Sequence, residues 1–344
     1  MIESLKIKNF RGIKEGELKL STLTILLGGN NSGKTAILEA LFLAPNPFRR
    51  VPYVVGRYNS AAEVVHSMHE TLNSQGFAFL LNKYTAENAE IECKVNGDEF
   101  LLRFIRKGES ILVSTNKEMR SYNTEFTEGK EIKYFGGLEL SSFKTYPYDS
   151  GLFINNTLLI SPKFVKIGYD YLEENWASII NLGVCRKVAE EASELSAERY
   201  KDITIEPFLG KKLAIYAYLE DGTRIRLGDL GEGIQNYILA RILYEVEKPE
   251  VLLWDDVEAH LNPRILLNIA EWFSGIVEDG KQIIVTTHSL EAAKTIAGLN
   301  EEKARIYLIS LDNNILKAKE FTLEEIDKLI EAGIDVRVAE LLLL

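Results

Sequence analysis

The chain has 344 residues and a formal net charge of −11. This length suffices for one large domain or two ordinary ones, and the acidic balance argues against a broad surface for non-specific DNA binding. The first residues alternate like a strand rather than a signal peptide, and no stretch approaches the roughly 20 apolar residues of a membrane span. Cys93 and Cys185 are too few and too far apart for a disulfide framework or a zinc site. We therefore expect a cytoplasmic protein with reduced, buried thiols and no membrane contact.

A P-loop is the first chemical motif along the chain. Strands are predicted over residues 2–8 and 16–20, and an apolar run ending at Leu27 predicts a buried strand. A glycine-bounded loop follows, and then a helix that ends near Ala44, because the prolines at 45 and 47 cannot continue it. Strand, loop and helix in this order are the context of the motif G-x-x-x-x-G-K-[ST]. The motif and its loop consist of Gly28, Gly29, Asn30, Asn31, Ser32, Gly33, Lys34 and Thr35.

These residue types are suited to a triphosphate and a magnesium ion. Glycines allow consecutive N–H groups to turn inward as an anion nest, and the helix N-terminus adds the positive end of its dipole. Lys34 is expected to reach the β- and γ-phosphates, and the Thr35 hydroxyl to ligate Mg²⁺. The alternative is a glycine-rich turn that merely precedes Lys-Thr, and the strict spacing within a strand–loop–helix unit disfavours it.

The middle of the chain changes character. Residues 60–85 look helical, and residues 89–115 alternate in hairpins around Asn96-Gly97. Residues 163–199 carry apolar side chains at helical spacing. That stretch could be a short helical arm or a helix pair that faces the core.

Regular structure resumes after residue 200. We predict a hairpin over 213–227, helices over 236–246, 264–278 and 322–332, and strands over 250–254, 281–286, 304–310 and 315–320. Strands that alternate with helices indicate a mostly parallel sheet. The predicted fold is α/β, a P-loop NTPase core of mixed or parallel sheet flanked by helices. The core is assigned to residues 1–44 and 200–344, with an inserted α+β lobe at residues 45–199.

Two acids follow the predicted strand over 250–254. If this strand neighbours the P-loop strand, Asp255 lies at the nucleotide end of the sheet, where its carboxylate can hold Mg²⁺ through water. Asp256 is then positioned to orient or deprotonate the attacking water. Many buried strands end in Asp, so this pattern alone is weak evidence, and the interpretation depends on the P-loop upstream.

Two further motifs fit the same site. The strand over 281–286 leads to His288, which could hydrogen-bond the γ-phosphate; an ordinary loop histidine is the alternative. Gly231, Glu232 and Gly233 form a glycine turn at a helix N-terminus, hence a second anion nest. One chain needs one nest for one triphosphate, so the second makes sense if it closes over the nucleotide of a partner subunit. A simple helix-opening turn is the alternative.

Together these residues resemble the ABC-type ATPase heads of the RecF/SMC group, and most closely the small OLD-related AAA ATPases. The resemblance rests on Ile7 to Gly12 followed by the P-loop, on Leu230 to Gln235 as the ABC signature, and on Asp255 as the Walker B acid. Residues 258–263 look like the D-loop segment, His288 matches the switch histidine, and residues 333–337 also resemble the group. The resemblance covers roughly residues 1–44 and 200–344.

The chain departs from this pattern at three points. The usual catalytic Glu after the Walker B acid is Asp256, which is one methylene shorter, so hydrolysis is expected to be slow or Glu258 to contribute. Gln75 is assigned as the Q-loop ligand of the metal because no other Gln lies between the P-loop and the signature. The chain ends about 56 residues after His288, which leaves no room for the nuclease domain of OLD proteins, so we expect no cutting of nucleic acid.

The resemblance implies an ATPase that uses ATP and Mg²⁺ and forms an ATP-dependent homodimer around two nucleotides. Its process is expected to be nucleic-acid repair or defence, acting on DNA or through a protein partner such as a nuclease. The alternative is a regulatory ATPase that controls a partner protein such as a toxin, without nucleic-acid contact. A basic lobe of Arg49, Arg50, Arg57, Arg103, Arg106 and Lys107 would favour DNA, and scattered surface charge is the other interpretation.

Overall fold

The structure is a computed structural model. It describes residues 1–44, 46–55, 58–69, 77–107, 110–116, 119–121, 124–126, 132–135, 156–196, 198–209 and 212–334. The helices are α1 (Lys34–Leu43), α2 (Ala61–His69), α3 (Phe164–Asn181), α4 (Val184–Ser193), α5 (Glu232–Glu247), α6 (Pro263–Glu278), α7 (Leu290–Gly298) and α8 (Leu323–Glu331). None of these described helices is both long and apolar enough to span a membrane.

The strands begin in the N-terminal part with β1 (Ile2–Phe10), β2 (Ile13–Lys19), β3 (Leu23–Leu27), β4 (Arg50–Val55) and β5 (Tyr58–Ser60). The middle holds β6 (Asn88–Val95), β7 (Asp98–Lys107), β8 (Ser110–Thr115), β9 (Met119–Ser121), β10 (Thr124–Phe126), β11 (Ile132–Phe135) and β12 (Thr157–Ile160). The last group is β13 (Tyr200–Leu209), β14 (Lys212–Leu219), β15 (Arg224–Arg226), β16 (Val251–Trp254), β17 (Gln282–Thr287), β18 (Ala304–Asp312) and β19 (Ile315–Phe321).

Within the described residues, twelve strands form one sheet in the order β11-β8-β7-β6-β1-β2-β19-β18-β3-β17-β16-β12. The half that runs from β18 through β3, β17 and β16 to β12 is parallel, and β1, β6, β7, β8 and β11 pair antiparallel. Every residue of β3 is buried, as expected for a central parallel strand covered on both faces. The predicted mixed sheet flanked by helices is thereby confirmed.

The condition stated for Asp255, that its strand neighbours the P-loop strand, is not met. β17 lies between β3 and β16 and pairs in parallel with both. The motifs alone do not determine the order of strands, since parallel strands are joined by crossovers. All three strands still end at one edge of the sheet, so Asp255 reaches the P-loop from one strand further away.

Five of the nine described strands of residues 45–199 extend the large sheet, while β4 with β5 and β9 with β10 form separate two-stranded sheets. β6 pairs with the free edge of β1, and β12 pairs in parallel with β16 at the opposite end of the sheet. The hairpins predicted around Asn96-Gly97 are confirmed as β6, β7 and β8. Their apolar alternation is explained by this pairing, because it gives one face of each strand a place in the core. The division into a core and an inserted lobe stays a prediction.

The helical stretch after residue 163 is a pair that faces the core. α4 packs against β13 and α5, and α3 packs against α5 and β4. Leu172, Ile179 and Val188 are fully buried, so the interpretation as a projecting arm is wrong. The helix predicted over 60–85 is present as α2, and short 3₁₀ turns follow at 78–80 and 82–84. Residues 70–76, including Gln75, lie outside the described residues. Strand β12 and helix α7 were not predicted.

Candidate nucleotide-binding site

The P-loop lies between the buried end of β3 and the first turn of α1. The Gly28 N–H donates to the Thr287 carbonyl over 3.3 Å, which ties the start of the loop to β17. Asn31 and Gly33 have φ angles of 62° and 96°, in the left-handed region that glycine tolerates best. Left-handed residues in such a turn create a concave row of backbone N–H groups that binds anions. The helix begins directly behind the turn at Lys34, so its dipole reinforces the same spot.

The Lys34 side chain folds over this loop. Its Nζ donates to the carbonyl oxygens of Gly28 and Gly29 over 2.9 and 2.8 Å and lies 3.3 Å from Ser32 Oγ. Only 4% of Lys34 is exposed. A buried ammonium held by backbone carbonyls adds positive charge to the nest.

Thr35 meets Asp255 on the other side of the P-loop. The Thr35 hydroxyl donates to Asp255 Oδ1 and Oδ2 over 3.2 and 3.0 Å, and Thr286 Oγ1 donates to Asp255 Oδ1 over 2.8 Å. Asp255 is 6% exposed, and burial, with the charge of Asp256, raises the pKa of its carboxyl, while hydrogen bonds from Thr286 and Thr35 oppose that rise. A hydroxyl and a carboxylate side by side are the hard oxygen ligands that Mg²⁺ prefers. The residues therefore fit a magnesium ion together with a nucleotide in the P-loop.

Asp256 and His288 face each other at the same edge of the sheet. His288 Nε2 lies 3.2 Å from Asp256 Oδ1, and His288 Nδ1 lies 3.4 Å from Lys34 Nζ. This fits the tautomer with the proton on Nε2. The Asp256 backbone has a φ of 47°, and its N–H donates to Thr286 Oγ1 over 2.8 Å. Thr286 thus holds Asp255 through its hydroxyl proton and Asp256 through its oxygen lone pair.

Glu258 makes a different contact from Asp256. Its Oε1 accepts a hydrogen bond from the His288 backbone N–H over 2.6 Å. Its Oε2 is buried and has no hydrogen-bond partner among the described residues. The geometry therefore makes Glu258 a support for the backbone of His288, and Asp256 the carboxylate that faces the imidazole ring.

The signature turn packs against the segment that contains Glu258. Gly231 is the N-cap of α5, and Glu232 Oε2 lies 2.9 Å from His260 Nδ1. A Cβ added at Gly233 would lie 2.5 Å from the His260 carbonyl oxygen. The close approach explains why this position holds a glycine. Helix α5 begins at Glu232 rather than at the predicted residue 236.

A buried network lies behind the P-loop helix and was not predicted. Glu39 on α1 is fully buried, forms an ion pair with Arg11, and accepts from His69 Nε2 over 2.6 Å. Arg11 Nη2 lies 3.3 Å from His69 Nδ1, which closes the ring. Burial lowers the pKa of His69 to about 3, with the charges of Arg11 and Lys163 adding to the effect, so the imidazole is neutral. The network fixes α1 against the β1–β2 turn and the end of α2.

The sequence offered weak signals for the missed residues. Arg11 belongs to the opening that resembles the RecF/SMC group, yet burial that lowers the pKa of its guanidinium to about 10 cannot be deduced from a motif. Thr286 stands two residues before His288, and its role follows only from the neighbouring strand. Of the assigned residues, Gln75 lies outside the described part of the chain.

Comparisons with known proteins identify similar families and structures. A model of the family described as "AAA ATPase domain" matches residues 1–149, and one described as "AAA domain, putative AbiEii toxin, Type IV TA system" matches residues 106–293, more than half of the chain. The uncharacterized protein MJECL10 of Methanocaldococcus jannaschii is 54% identical over 44 residues, which cover 12% of this chain and 20% of that protein. The matched stretch thus spans about a fifth of that relative's length.

Two solved structures share the fold. One is the Smc head domain with an extended coiled coil bound to the C-terminal domain of ScpA, derived from Pyrococcus furiosus. It has a TM-score of 0.53 and 12% identity over 96% of this chain and 99% of that one. The other is the SmcHead bound to the C-winged helix domain of ScpA, with a TM-score of 0.55 and 14% identity over 95% and 99%. At these identities the likeness concerns the fold. Because a model of the AAA-domain family matches more than half of the chain, the chain belongs to that family.

Proposed function

We propose that this protein binds ATP with Mg²⁺ and hydrolyses it to ADP and phosphate. The observation that carries this proposal is the meeting of Thr35, Asp255 and Thr286 beside the buried ammonium of Lys34. A magnesium ion held there would neutralise charge on the transferred phosphoryl group. The backbone N–H groups from Gly28 to Gly33 would bind the phosphates, and Lys34 would turn from the loop carbonyls to them.

In this scheme the remaining polar groups order the attack of water. Asp256 orients the water and receives its proton, and the His288 imidazole holds the Asp256 carboxylate in place through its Nε2 proton. Glu258 keeps the backbone of His288 at the sheet edge. Because Asp256 is shorter than the glutamate usual in the group, its carboxylate stands further back, and we expect slow turnover.

The same proposal includes an ATP-dependent homodimer. Gly231, Glu232 and Gly233 would complete the partner's site, since the N-terminus of α5 offers free N–H groups and the positive end of a helix dipole. The Glu232 side chain is 69% exposed, as expected of a turn that meets another subunit. ATP would favour the closed dimer only through contacts that ADP lacks.

For the biological process we propose nucleic-acid repair or defence, exerted in the cytoplasm through a partner protein such as a nuclease or toxin. The family match that mentions a toxin system supports a defence role. The basic residues that were considered for DNA contact give little support to direct binding of DNA. Arg49 is buried with its guanidinium over the Phe42 ring, Arg103 pairs with Glu90, and Arg106 donates to a backbone carbonyl.

A regulatory ATPase that controls a partner protein without nucleic-acid contact is the second candidate, and the same buried or paired arginines favour it. DNA affinity measured at rising salt separates the two. Direct DNA contact requires an affinity that falls steeply with salt, because phosphate contacts release counterions. Absence of such binding favours the regulatory function.

The experiment that tests the dimer uses Asp256→Asn, which keeps the shape of the side chain but removes its basicity. With ATP and Mg²⁺ this variant should elute as a dimer in size-exclusion chromatography with light scattering, and as a monomer with ADP. The matched control is Asp256→Asn combined with Gly231→Arg, which should bind ATP yet stay monomeric. A monomer with ATP in the first variant, despite measured ATP binding, would refute the dimer.

A further inference from the structure

The sheet of β13, β14 and β15 has an apolar face that is longer than the helix covering it. Ile203 and Ala217 pair across β13 and β14 and both are fully buried, and α4 packs against β13. Residues two apart on a strand share a face. The next pair on this face, Ile205 and Ile215, is only half-buried, and Leu213 beyond it is 49% exposed. The apolar surface therefore continues past its cover.

A cleft of about 410 Å³ lies where this face is uncovered, and we call it the α3 cleft. Its floor is the apolar pair Ile205 and Ile215 with Leu213, one wall is α3, and the other is the turn at 226–229. The volume falls in the range of sites that bury several side chains or one small ligand.

The charged groups of the α3 cleft are unbalanced. Arg226 is neutralised by Asp229, with Nε–Oδ2 and Nη2–Oδ1 distances of 2.7 and 2.8 Å. Asp170 and Glu173 stand one helical turn apart on α3 and are exposed. In the part of the chain that the structure describes, neither carboxylate forms an ion pair. Among the described residues, the cleft thus combines an apolar floor with a rim of negative charge that no ion pair balances.

We propose that the α3 cleft docks a basic, amphipathic segment of a partner polypeptide. Its apolar side chains would cover the sheet face, and its Lys or Arg side chains would meet Asp170 and Glu173. The floor favours a polypeptide, because Ile205–Ile215 and Pro207–Leu213 form successive rungs of the same two strands. Such a row matches side chains that repeat along a helix or strand.

The α3 cleft is also connected to the signature turn. Tyr169 lines the cleft, and its hydroxyl donates to Gln235 Oε1 over 2.6 Å. Gln235 Nε2 in turn donates to the Leu230 carbonyl over 2.6 Å, directly before Gly231. A segment that displaces Tyr169 would shift the turn that completes the partner's site. Docking is therefore expected to change ATP turnover, and this second part rests on the proposed function.

The probe is a fluorescently labelled amphipathic peptide of Leu and Lys, with a peptide of Leu and Glu as its counterpart. Binding is measured by fluorescence anisotropy on the full chain without nucleotide, so the result does not depend on ATP. The wild type should bind the Lys peptide and not the Glu peptide. Glu173→Lys should weaken binding about three- to tenfold, since it reverses one partly exposed charge pair.

The matched control is Glu174→Lys, which changes the net charge identically on the neighbouring exposed residue of α3 outside the cleft. It should leave the affinity within about twofold of the wild type. Leu213→Ser should weaken binding about fivefold by removing apolar contact. Its control, Leu182→Ser, alters a leucine that is 56% exposed away from the cleft and should have no effect.

If Glu173→Lys and Glu174→Lys weakened peptide binding equally, the binding would be non-specific attraction between a basic peptide and an acidic protein. That result would overturn the proposal. The proposal would also be overturned if the chain dimerised without peptide and Leu213→Ser dissociated that dimer, because the cleft would then bind a second copy of the chain. Peptide binding with unchanged turnover would refute the link to the signature turn alone. Peptide binding by a chain that binds no ATP would contradict the proposed function and leave the docking site standing.

Discussion

Gly233→Ala tests the contact between the signature turn and the segment that follows Asp256. A Cβ at this position would lie 2.5 Å from the His260 carbonyl oxygen, and real Cβ atoms essentially never approach closer than 3.0 Å. The obstacle is backbone, so either the start of α5 or the 258–262 segment must move by at least about 0.5 Å. We expect both lower stability and slower ATP turnover, because that segment carries Glu258, which supports His288.

The magnitude follows from two opposing effects. Overpacking costs about 1–3 kcal/mol, and alanine regains up to about 1 kcal/mol of helix propensity over glycine. With that regain, the net loss in the free energy of unfolding is up to about 2 kcal/mol. For a chain of this length, a loss of about 2 kcal/mol corresponds to a fall in Tm of roughly 3 °C.

The assay pairs thermal unfolding with steady-state turnover, and Gly231→Ser is the control. A Cβ at Gly231 meets nothing within 4 Å, and serine is a favourable N-cap residue, so this variant should match or exceed the wild type in Tm. Gly233→Ala with unchanged Tm and unchanged turnover would refute the close approach between the turn and His260.

Two further predictions concern the acids. Asp255→Asn should raise the Tm of the nucleotide-free protein near neutral pH while abolishing magnesium-dependent turnover, because a raised carboxyl pKa means that the folded state disfavours the ionised form. The wild type should lose stability as pH rises from the ordinary pKa of Asp through the raised one, so its gap to Asp255→Asn should widen across that window in melts at several pH values. Glu258→Gln should reduce turnover less than Asp256→Asn, since glutamine retains an oxygen that accepts from the His288 N–H.

The controls for these variants differ. The control for Asp255→Asn is Asp221→Asn, measured in the same thermal melts. Hydrogen bonds from Thr223 lower the pKa of this exposed aspartate. The wild type should therefore gain stability over Asp221→Asn as pH rises, opposite to the trend for Asp255→Asn. If Asp255→Asn were less stable than the wild type at neutral pH, the inference that burying the ionised Asp255 carboxylate destabilises the fold would be contradicted. If Glu258→Gln abolished turnover while Asp256→Asn hydrolysed normally, the base would be Glu258.

The sequence predicted the parts of the site that lie in local patterns. The spacing from Gly28 to Thr35 determines a turn and a helix start within a few residues, so the loop needed no knowledge of the rest of the fold. Asp255 was predictable because a short apolar run ends there. The contact between Asp255 and Thr35 across the intervening strand β17 was not predictable, because the order of strands in a sheet depends on crossovers between segments far apart in sequence.

What escaped prediction depends on long-range contacts. Arg49 was expected at the surface because it is charged, but its guanidinium lies on the Phe42 ring and donates to the Thr157 carbonyl over 3.3 Å. Thr286 looked like an ordinary strand residue until β16 placed Asp255 beside it. The four residues of β12 are too few to show a period, and their place at the sheet edge comes from pairing with β16.

The most direct test of the central claim is magnesium-dependent ATP turnover of the wild type beside Lys34→Ala. The Lys34 ammonium is the buried positive charge of the nest, so its removal should reduce turnover to the level of the blank, while the fold, followed by circular dichroism, persists. Turnover in the wild type that needs Mg²⁺ and is lost in Lys34→Ala is the predicted result. Equal turnover in both proteins would contradict the assignment of this P-loop as the ATP site.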